Sequence, residues 1–327
     1  MPAVLRYART FVRVPKTMQR VRLPATAAPD VRAVFNLTSA FGNYARASAR
    51  NGGIYWAYTH DPVPFLYEFE GLLSNTSDAT EPRFCFTSQQ HIRLVYTRGG
   101  AVQERLSTDD GKTWTGEALV FAASRHPDIA ADGLGTLLRA AYQPASGKIT
   151  ATRQDAGEAT AGSPFFLKNT AATDLTIEDD TFRLVADLKG WWWLHLRLLG
   201  GATSSLLFST DDGETFAVTS GAVTGITGGT HPGMLAGHDG TLWAWAYLGG
   251  EIAFTRRGSG EVDWSTPVSI QDHLGVDLAV RDIPSSLALA WERPQRLVLA
   301  TILTAHVGPT DHWSADDGSS FRRFVGT

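Results

Sequence analysis

Three stretches of this 327-residue chain set two aspartates directly before a glycine: LSTDDGKTW (Leu106–Trp114), FSTDDGETF (Phe208–Phe216) and WSADDGSSF (Trp313–Phe321). Paired carboxylates on a tight turn can do one of two things. They can ligate a cation, or they can accept hydrogen bonds from the backbone of their own turn. A calcium loop of the EF-hand type needs alternating acidic ligands and a distal glutamate, and neither is present. The second role fits residue by residue. Asp109 accepts backbone N–H groups, Gly111 suits a position with φ > 0, and the hydroxyls of Ser107 and Thr113 tie down nearby backbone. Trp114 then opens the next strand and buries its ring. Ser209, Asp211, Gly213, Thr215 and Phe216 repeat these roles, as do Ser314, Asp316, Gly318, Ser320 and Phe321. No metal is expected at these loops, and no cofactor elsewhere. The nine histidines show no HExxH or comparable spacing, and neither a glycine-rich phosphate loop nor a G-x-S-x-G elbow is found.

Other side chains could meet a ligand. His126 and His231 open two similar segments, HPDIAADGLGTLLRAAYQ and HPGMLAGHDGTLWAWAY, 105 positions apart. One reading is a turn geometry that the repeat reuses, stiffened by Pro127 and Pro232. The other is a pair of rim residues lining a central opening. The cluster GWWWLHL (Gly190–Leu196) sends Trp192 to one side of a strand and Trp191 and Trp193 to the other. Burial is the default for such rings, while an exposed one stacks on a sugar. Trp243, Trp245 and Trp264 pose the same choice. Trp192 and Trp243, with Arg83, His126 and His231, form the expected ligand-binding set.

The elements that must position these residues are strands. Ile92–Thr97, Thr241–Tyr247, Glu251–Arg257 and Arg296–Leu303 are short, β-branched or aromatic, and bounded by Gly, Pro or Asp. No long amphipathic helix is found. The acidic stretches recur at intervals of about a hundred residues, and other segments repeat in the same phase. Each unit divides into two subunits of roughly fifty residues, the size of a four-stranded propeller blade. The expected fold is all-β, a six-bladed β-propeller with an extended N-terminal arm. The arm spans 1–38 and the propeller 39–327, in double-blade repeats of about 39–122, 123–224 and 225–327. Before Asp30 the arm holds six basic residues (Arg6, Arg9, Arg13, Lys16, Arg20 and Arg22) and no acidic one. It reads as a closing strand, or as a docking arm for an acidic partner surface in a virion or an oligomer.

The loop pattern S-x-D-x-G-x-[ST]-[WF], written three times in phase with a blade-sized repeat, resembles the Asp-box (BNR repeat) of sialidase-like β-propellers. The resemblance spans roughly residues 47–324. It implies that each box joins the third and fourth strands of a blade, away from the central pocket, and that its residues are structural. The best-known members of that family cleave terminal sialic acids. They hold the sugar carboxylate with three arginines, and they use a Tyr–Glu nucleophile and an aspartate acid/base. This sequence lacks the family's early F/Y-R-I/L-P motif, and EPRFCF, with Arg83, is the nearest string. Arg46, Arg98, Arg183, Arg197 and Arg281 sit in no matching context, and Tyr67 and Glu68 would face opposite sides of a strand.

Composition narrows the partners. A net charge of −4 and a pI of about 6.1 argue against nucleic acid. No run of the length of a membrane span occurs, since His195 and Arg197 interrupt WWWLHLRLLGG. The single cysteine, Cys85, forms no internal disulfide, and the first residues carry no signal-peptide pattern. The expected function is a non-enzymatic binding or assembly propeller that recognises a glycan or protein partner. A phage tail or tip protein is the kind of chain it resembles, placed in a virion or the cytoplasm and released by lysis or a non-classical route. The alternative is a sialidase-like glycoside hydrolase with a diverged active site.

Overall fold

A computed structural model describes residues 31–323, apart from 39–43, 51, 60–68, 74, 88–90, 188, 201–203, 219–225, 227–229, 238–239, 249–250, 259–260, 262, 270–283, 293–296, 305–307 and 315–321. The described residues contain strands and turns and no helix. They build six sheets. Sheet 1 holds β1 (Val31–Thr38), β2 (Tyr44–Arg50), β3 (Gly53–Thr59) and β4 (Phe69–Leu72). Sheet 2 holds β5 (Thr80–Phe86), β6 (Ile92–Arg98), β7 (Ala101–Ser107) and β8 (Ala118–Phe121). Sheet 3 holds β9 (Arg125–Ala131), β10 (Leu137–Gln143), β11 (Lys148–Gln154) and β12 (Phe165–Phe166). Sheet 4 holds β14 (Ile177–Ala186), β15 (Trp192–Leu198), β16 (Ser204–Ser209) and β17 (Thr215–Val218), and β13 (Lys168–Asn169) pairs in parallel with β17. Sheet 5 holds β18 (Thr230–Ala236), β19 (Leu242–Leu248), β20 (Glu251–Arg257) and β21 (Val268–Ser269). Sheet 6 holds β22 (Pro284–Glu292), β23 (Leu297–Thr304), β24 (Gly308–Ser314) and β25 (Arg322–Arg323).

Within each sheet the four main strands pair antiparallel in chain order. The first strands meet from sheet to sheet. β1 touches β5, β5 touches β9, and the contacts continue through β14, β18 and β22 back to β1. Radial sheets around a ring of first strands define a β-propeller. Val31–Thr38, at the inner end of the stretch read as a closing strand or a docking arm, is a ladder-forming strand and the first of sheet 1, so the propeller includes residues before 39. The basic residues Arg6–Arg22 lie outside the described residues.

The sequence of the middle strands follows from this arrangement. A radial sheet has a neighbour on both faces, so a central strand is apolar throughout instead of alternating. β10 and β15 are buried along most of their length. The cores lie between successive sheets. Trp56, Phe84 and Leu94 fill the space between sheets 1 and 2. Cys85, Val95, Ile129 and Leu137 fill that between sheets 2 and 3, where burial pushes the Cys85 thiol up to about 12. Leu138, Phe182 and Trp192 join sheets 3 and 4, and Trp193, Leu206 and Met234 join sheets 4 and 5.

The first strands share one irregularity. The register between first and second strand slips near the start of all six, for example between Thr80 and Arg83 and between Thr230 and Gly233. Pro82, Pro127 and Pro232 sit inside these slips, where a residue without an N–H costs no ladder bond. The bulges turn the backbone at Glu81 (φ 56°) and His126 (φ 51°) and aim both side chains along the gap between sheets 2 and 3.

Candidate functional site

The acidic loops join third to fourth strands, β7 to β8 and β16 to β17. In the first, Asp109 Oδ1 accepts from the Ser107 hydroxyl at 2.9 Å and from Thr113 N at 2.8 Å, while Oδ2 accepts from the Thr113 hydroxyl at 2.7 Å. Ser107 Oγ accepts from Gly111 N at 2.8 Å. The second loop repeats this through Ser209, Asp211, Gly213 and Thr215, at 2.6, 2.9 and 3.0 Å for the corresponding serine, threonine-amide and glycine bonds. The hydrogen bonds from the Thr113 side chain and amide hold the Asp109 carboxyl below the usual carboxylate range. Burial raises that of Asp211, but Ser209 and Thr215 bring it below the usual range as well. The rings that close the loops differ in depth, since Trp114 is partly exposed and Phe216 is buried. Ser314 ends β24, and Asp316, Gly318, Ser320 and Phe321 lie outside the described residues.

At the opposite ends of the sheets, where the first strands begin, charged residues from sheets 2, 3 and 4 come together. His126 Nδ1 lies 2.5 Å from Glu81 Oε1, and Glu81 Oε2 accepts from His126 N at 3.0 Å and from the Thr97 hydroxyl at 2.9 Å. Burial would raise Glu81, yet the bonds and charge of His126 dominate and bring it to about 2. His126 thus bridges sheets 2 and 3. Arg83 is buried and donates to Pro82 O at 2.9 Å, and Arg183 donates to Phe182 O at 2.6 Å. Asp128 is buried, and its carboxylate accepts from Ile129 N at 3.0 Å and from Leu184 N at 2.8 Å. Burial raises its carboxyl above the usual range, opposed by Arg183 and then Arg83. Arg98 is engaged elsewhere, with Glu117 and with Ser77 O at 3.2 Å. His231 lies on β18 with its side chain outside the described set, as are Tyr67, Glu68 and Arg281.

His195, opposite Arg183 on β15, is fully buried. Its Nδ1 stands 3.1 Å from Gly233 O, which can only accept, so the neutral ring carries its proton there. Burial pushes its pKa down to about 4. An unfolded chain binds the proton near 6.5, before the folded one does, so stability is complete above pH 6.5 and falls as the pH drops toward 4. The expected loss over that window is about 3 kcal/mol. Urea midpoints at pH 7 and pH 4.5 check this, with His195→Gln removing that share of the acid slope. Equal slopes in both proteins would refute it.

The two tryptophans expected to stack on a ligand are corrected. Trp192 is fully buried in the core between sheets 3 and 4, and Trp243 is buried and stacked on Phe254 at 5.8 Å. Neither offers a ring face, because a radial sheet buries both sides of its second strand. Three partly exposed aromatics stand at the end of sheet 4 that carries its acidic loop and at the matching end of sheet 5. Trp191, Phe208 and Trp264 are each partly exposed around the buried Trp193. Trp191 stacks on Phe208 at 5.8 Å, Trp193 lies 5.6 Å from Phe208, and Trp264 meets Trp193 edge-on at 6.2 Å. One carboxylate sets this arrangement. Asp187 accepts from Lys189 N at 2.8 Å, from Trp191 N at 3.0 Å and from Trp193 Nε1 at 3.1 Å. Two cations lie on ring faces, the Arg257 guanidinium 5.0 Å from the Trp193 centroid and the Lys189 ammonium 5.6 Å from that of Trp191. Phe208 was missed in the sequence, although it directly precedes the second acidic loop where the first has Leu106.

The class these features define is an all-β propeller with a charged cluster at one end of sheets 2 to 4 and a partly exposed aromatic cluster at the other end of sheets 4 and 5. No protein-family model matches the chain, and no curated protein does. Solved structures share its fold. The Aleuria aurantia lectin, described as a six-bladed β-propeller with a novel mode of fucose recognition, aligns over 91% of this chain and 95% of its own at 13% identity, with a TM-score of 0.59. AofleA from Arthrobotrys oligospora aligns over 91% and 88% at 9% identity, TM-score 0.62. A Hadza microbial sialidase aligns over 87% of this chain and 66% of its own at 13% identity, TM-score 0.51.

Proposed function

We propose that the chain is a non-enzymatic, six-bladed carbohydrate-binding propeller. Its acidic loops are Asp-boxes that fasten the sheets, and its saccharide site is the cleft formed by Trp191, Phe208 and Trp264. One observation carries the reading: these three large rings stay partly exposed around the buried Trp193, whose indole N–H, like the Trp191 amide, is held by Asp187. Aromatic faces at a rim bind the apolar face of a pyranose, while polar groups beside them fix its orientation. The fucose-recognising lectin of the same fold supports saccharides as the ligand class. The basic segment Arg6–Arg22 remains the proposed means of attachment to a virion or another partner.

A glycan array and a glycoside-turnover assay on the same sample test the reading. The expected result is retention of defined glycans with no sugar released, and Trp264→Ala weakens binding by about tenfold or more. Release of free sugar, abolished by a substitution at Asp128 or Glu81, would favour the hydrolase alternative instead.

A further inference from the structure

Among the described residues, six of the buried or partly buried cations pair with carboxylates. Arg93 and Arg139 pair with Glu104 at 3.0 and 2.8 Å, Arg98 and Arg105 with Glu117, Lys148 with Asp174 at 2.8 Å, and Arg153 with Asp155 at 2.9 Å. The aromatic cleft between sheets 4 and 5 departs from this pattern. Among the described residues no carboxylate pairs with Arg257 or Lys189, although Asp187 and Glu261 both stand close by in the chain. Each of those is occupied by backbone. The Asp187 carboxylate accepts two amides and an indole N–H, and Glu261 Oε2 accepts from Gly258 N at 2.8 Å. Arg257 does contact Glu261, but through the carbonyl, to which its Nε donates at 2.8 Å. That bond holds one edge of the guanidinium, and among the described residues its two terminal nitrogens have no acceptor.

From this arrangement we propose that the cleft selects carboxylated saccharides, with the Arg257 terminal nitrogens and the Lys189 ammonium holding the sugar carboxylate while Trp191 or Trp264 carries the ring. The proposal rests on the saccharide-binding reading and adds the chemistry of the ligand. The geometry gives each group a distinct part. Arg257 is partly buried and held from two sides, by the Trp193 face and the Glu261 carbonyl, so it is a preorganised fork for a planar anion. Lys189 is exposed and flexible, and its ammonium rests on the indole of Trp191. A cation on a ring face is held by only about 0.5–1 kcal/mol when exposed. A pyranose can therefore displace it from the indole, and the displaced ammonium stays at the rim, within reach of the carboxylate. A neutral sugar gains the stacking but displaces the cation without giving it a new partner, so the site favours the acid.

Isothermal titration of the full chain with matched pairs tests this: trigalacturonate against its methyl ester, and sialyllactose against lactose. The expected result is that at least one acid binds about tenfold or more tightly than its neutral counterpart. The preference shrinks as salt is raised and is lost in Arg257→Met, which keeps a side chain of similar length over Trp193. Lys189→Ala, at an exposed position, reduces the same preference without a folding risk. The pair that responds separates a uronic from a sialic acid ligand. Equal affinities within both pairs, with the glycan array still positive, would overturn charge selection and leave the saccharide reading standing. Absence of binding to every probe and to the array would remove both.

Discussion

Gly111→Ala destabilises the protein by about 3 kcal/mol or more. Two costs add at this position. The glycine sits at φ 82°, where an L side chain carries a penalty of about 1–2 kcal/mol. Its loop is also pressed against the preceding sheet, and an added Cβ would stand 1.9 Å from Trp56 Nε1 and 2.6 Å from two further indole atoms. Trp56 is fully buried and meets Phe84 and Trp114 edge-on at 4.8 and 5.2 Å, so it has no room to retreat. Overpacking of this kind costs roughly 1–3 kcal/mol. The comparison is Gly116→Ala, a few residues along the same connection, where the new Cβ meets nothing within 4 Å. Urea denaturation of the two variants should separate them clearly. If both unfold at the wild-type midpoint, the acidic loops do not fasten one sheet to the next.

Arg139→Ala is the second large effect, with an expected loss of about 3–5 kcal/mol. Arg139 of β10 reaches across to sheet 2, where its Nε and a terminal nitrogen meet the two oxygens of Glu104 at 2.8 and 3.1 Å. It also donates to Gln154 within its own sheet at 2.8 Å. Both charged partners are buried, so removing the arginine leaves Glu104 with Arg93 as its remaining cation. The double substitution Glu104→Met/Arg139→Met removes the charge together with its partner and recovers more than half of the loss. A double variant whose destabilisation equals the sum of the two single ones would show that the pair is not coupled.

In the two acidic loops within the described residues the roles of Ser107, Asp109 and Gly111 and of their counterparts were legible in the sequence, whereas the Thr113 hydroxyl bonds Asp109 rather than backbone and Trp114 precedes the next strand, partly exposed. Ser107, Asp109, Gly111 and Thr113 satisfy one another within nine residues, so local chemistry fixes them without help from the rest of the fold. Strand identity was legible for the same reason, since β10, β15 and β19 are short apolar runs bounded by Gly. What lay beyond the sequence is what depends on the neighbour across the gap. Trp191, Trp192 and Trp193 are chemically alike and consecutive, and only the position of sheets 3 and 5 decides which ring is sealed and which is open. His126 was read first as a turn residue and second as a rim residue, and its partner Glu81 was out of sight because it comes from another sheet, 45 positions earlier. Arg257 could not be singled out, because what marks it is the way Glu261 and Asp187 are already used. The start of the first sheet was placed too late because Val31–Thr38 follows a proline-broken basic segment, and the two were bounded together as one stretch.

The central claim is that saccharides bind on the aromatic cleft. Indole N–H resonances of the full chain, assigned by single Trp→Phe substitutions and followed during titration with trigalacturonate and sialyllactose, test it most directly. The account predicts that the signals of Trp191 and Trp264 move with ligand while those of the sealed Trp192 and Trp243 stay in place. Saturable binding that leaves Trp191 and Trp264 unmoved would contradict it.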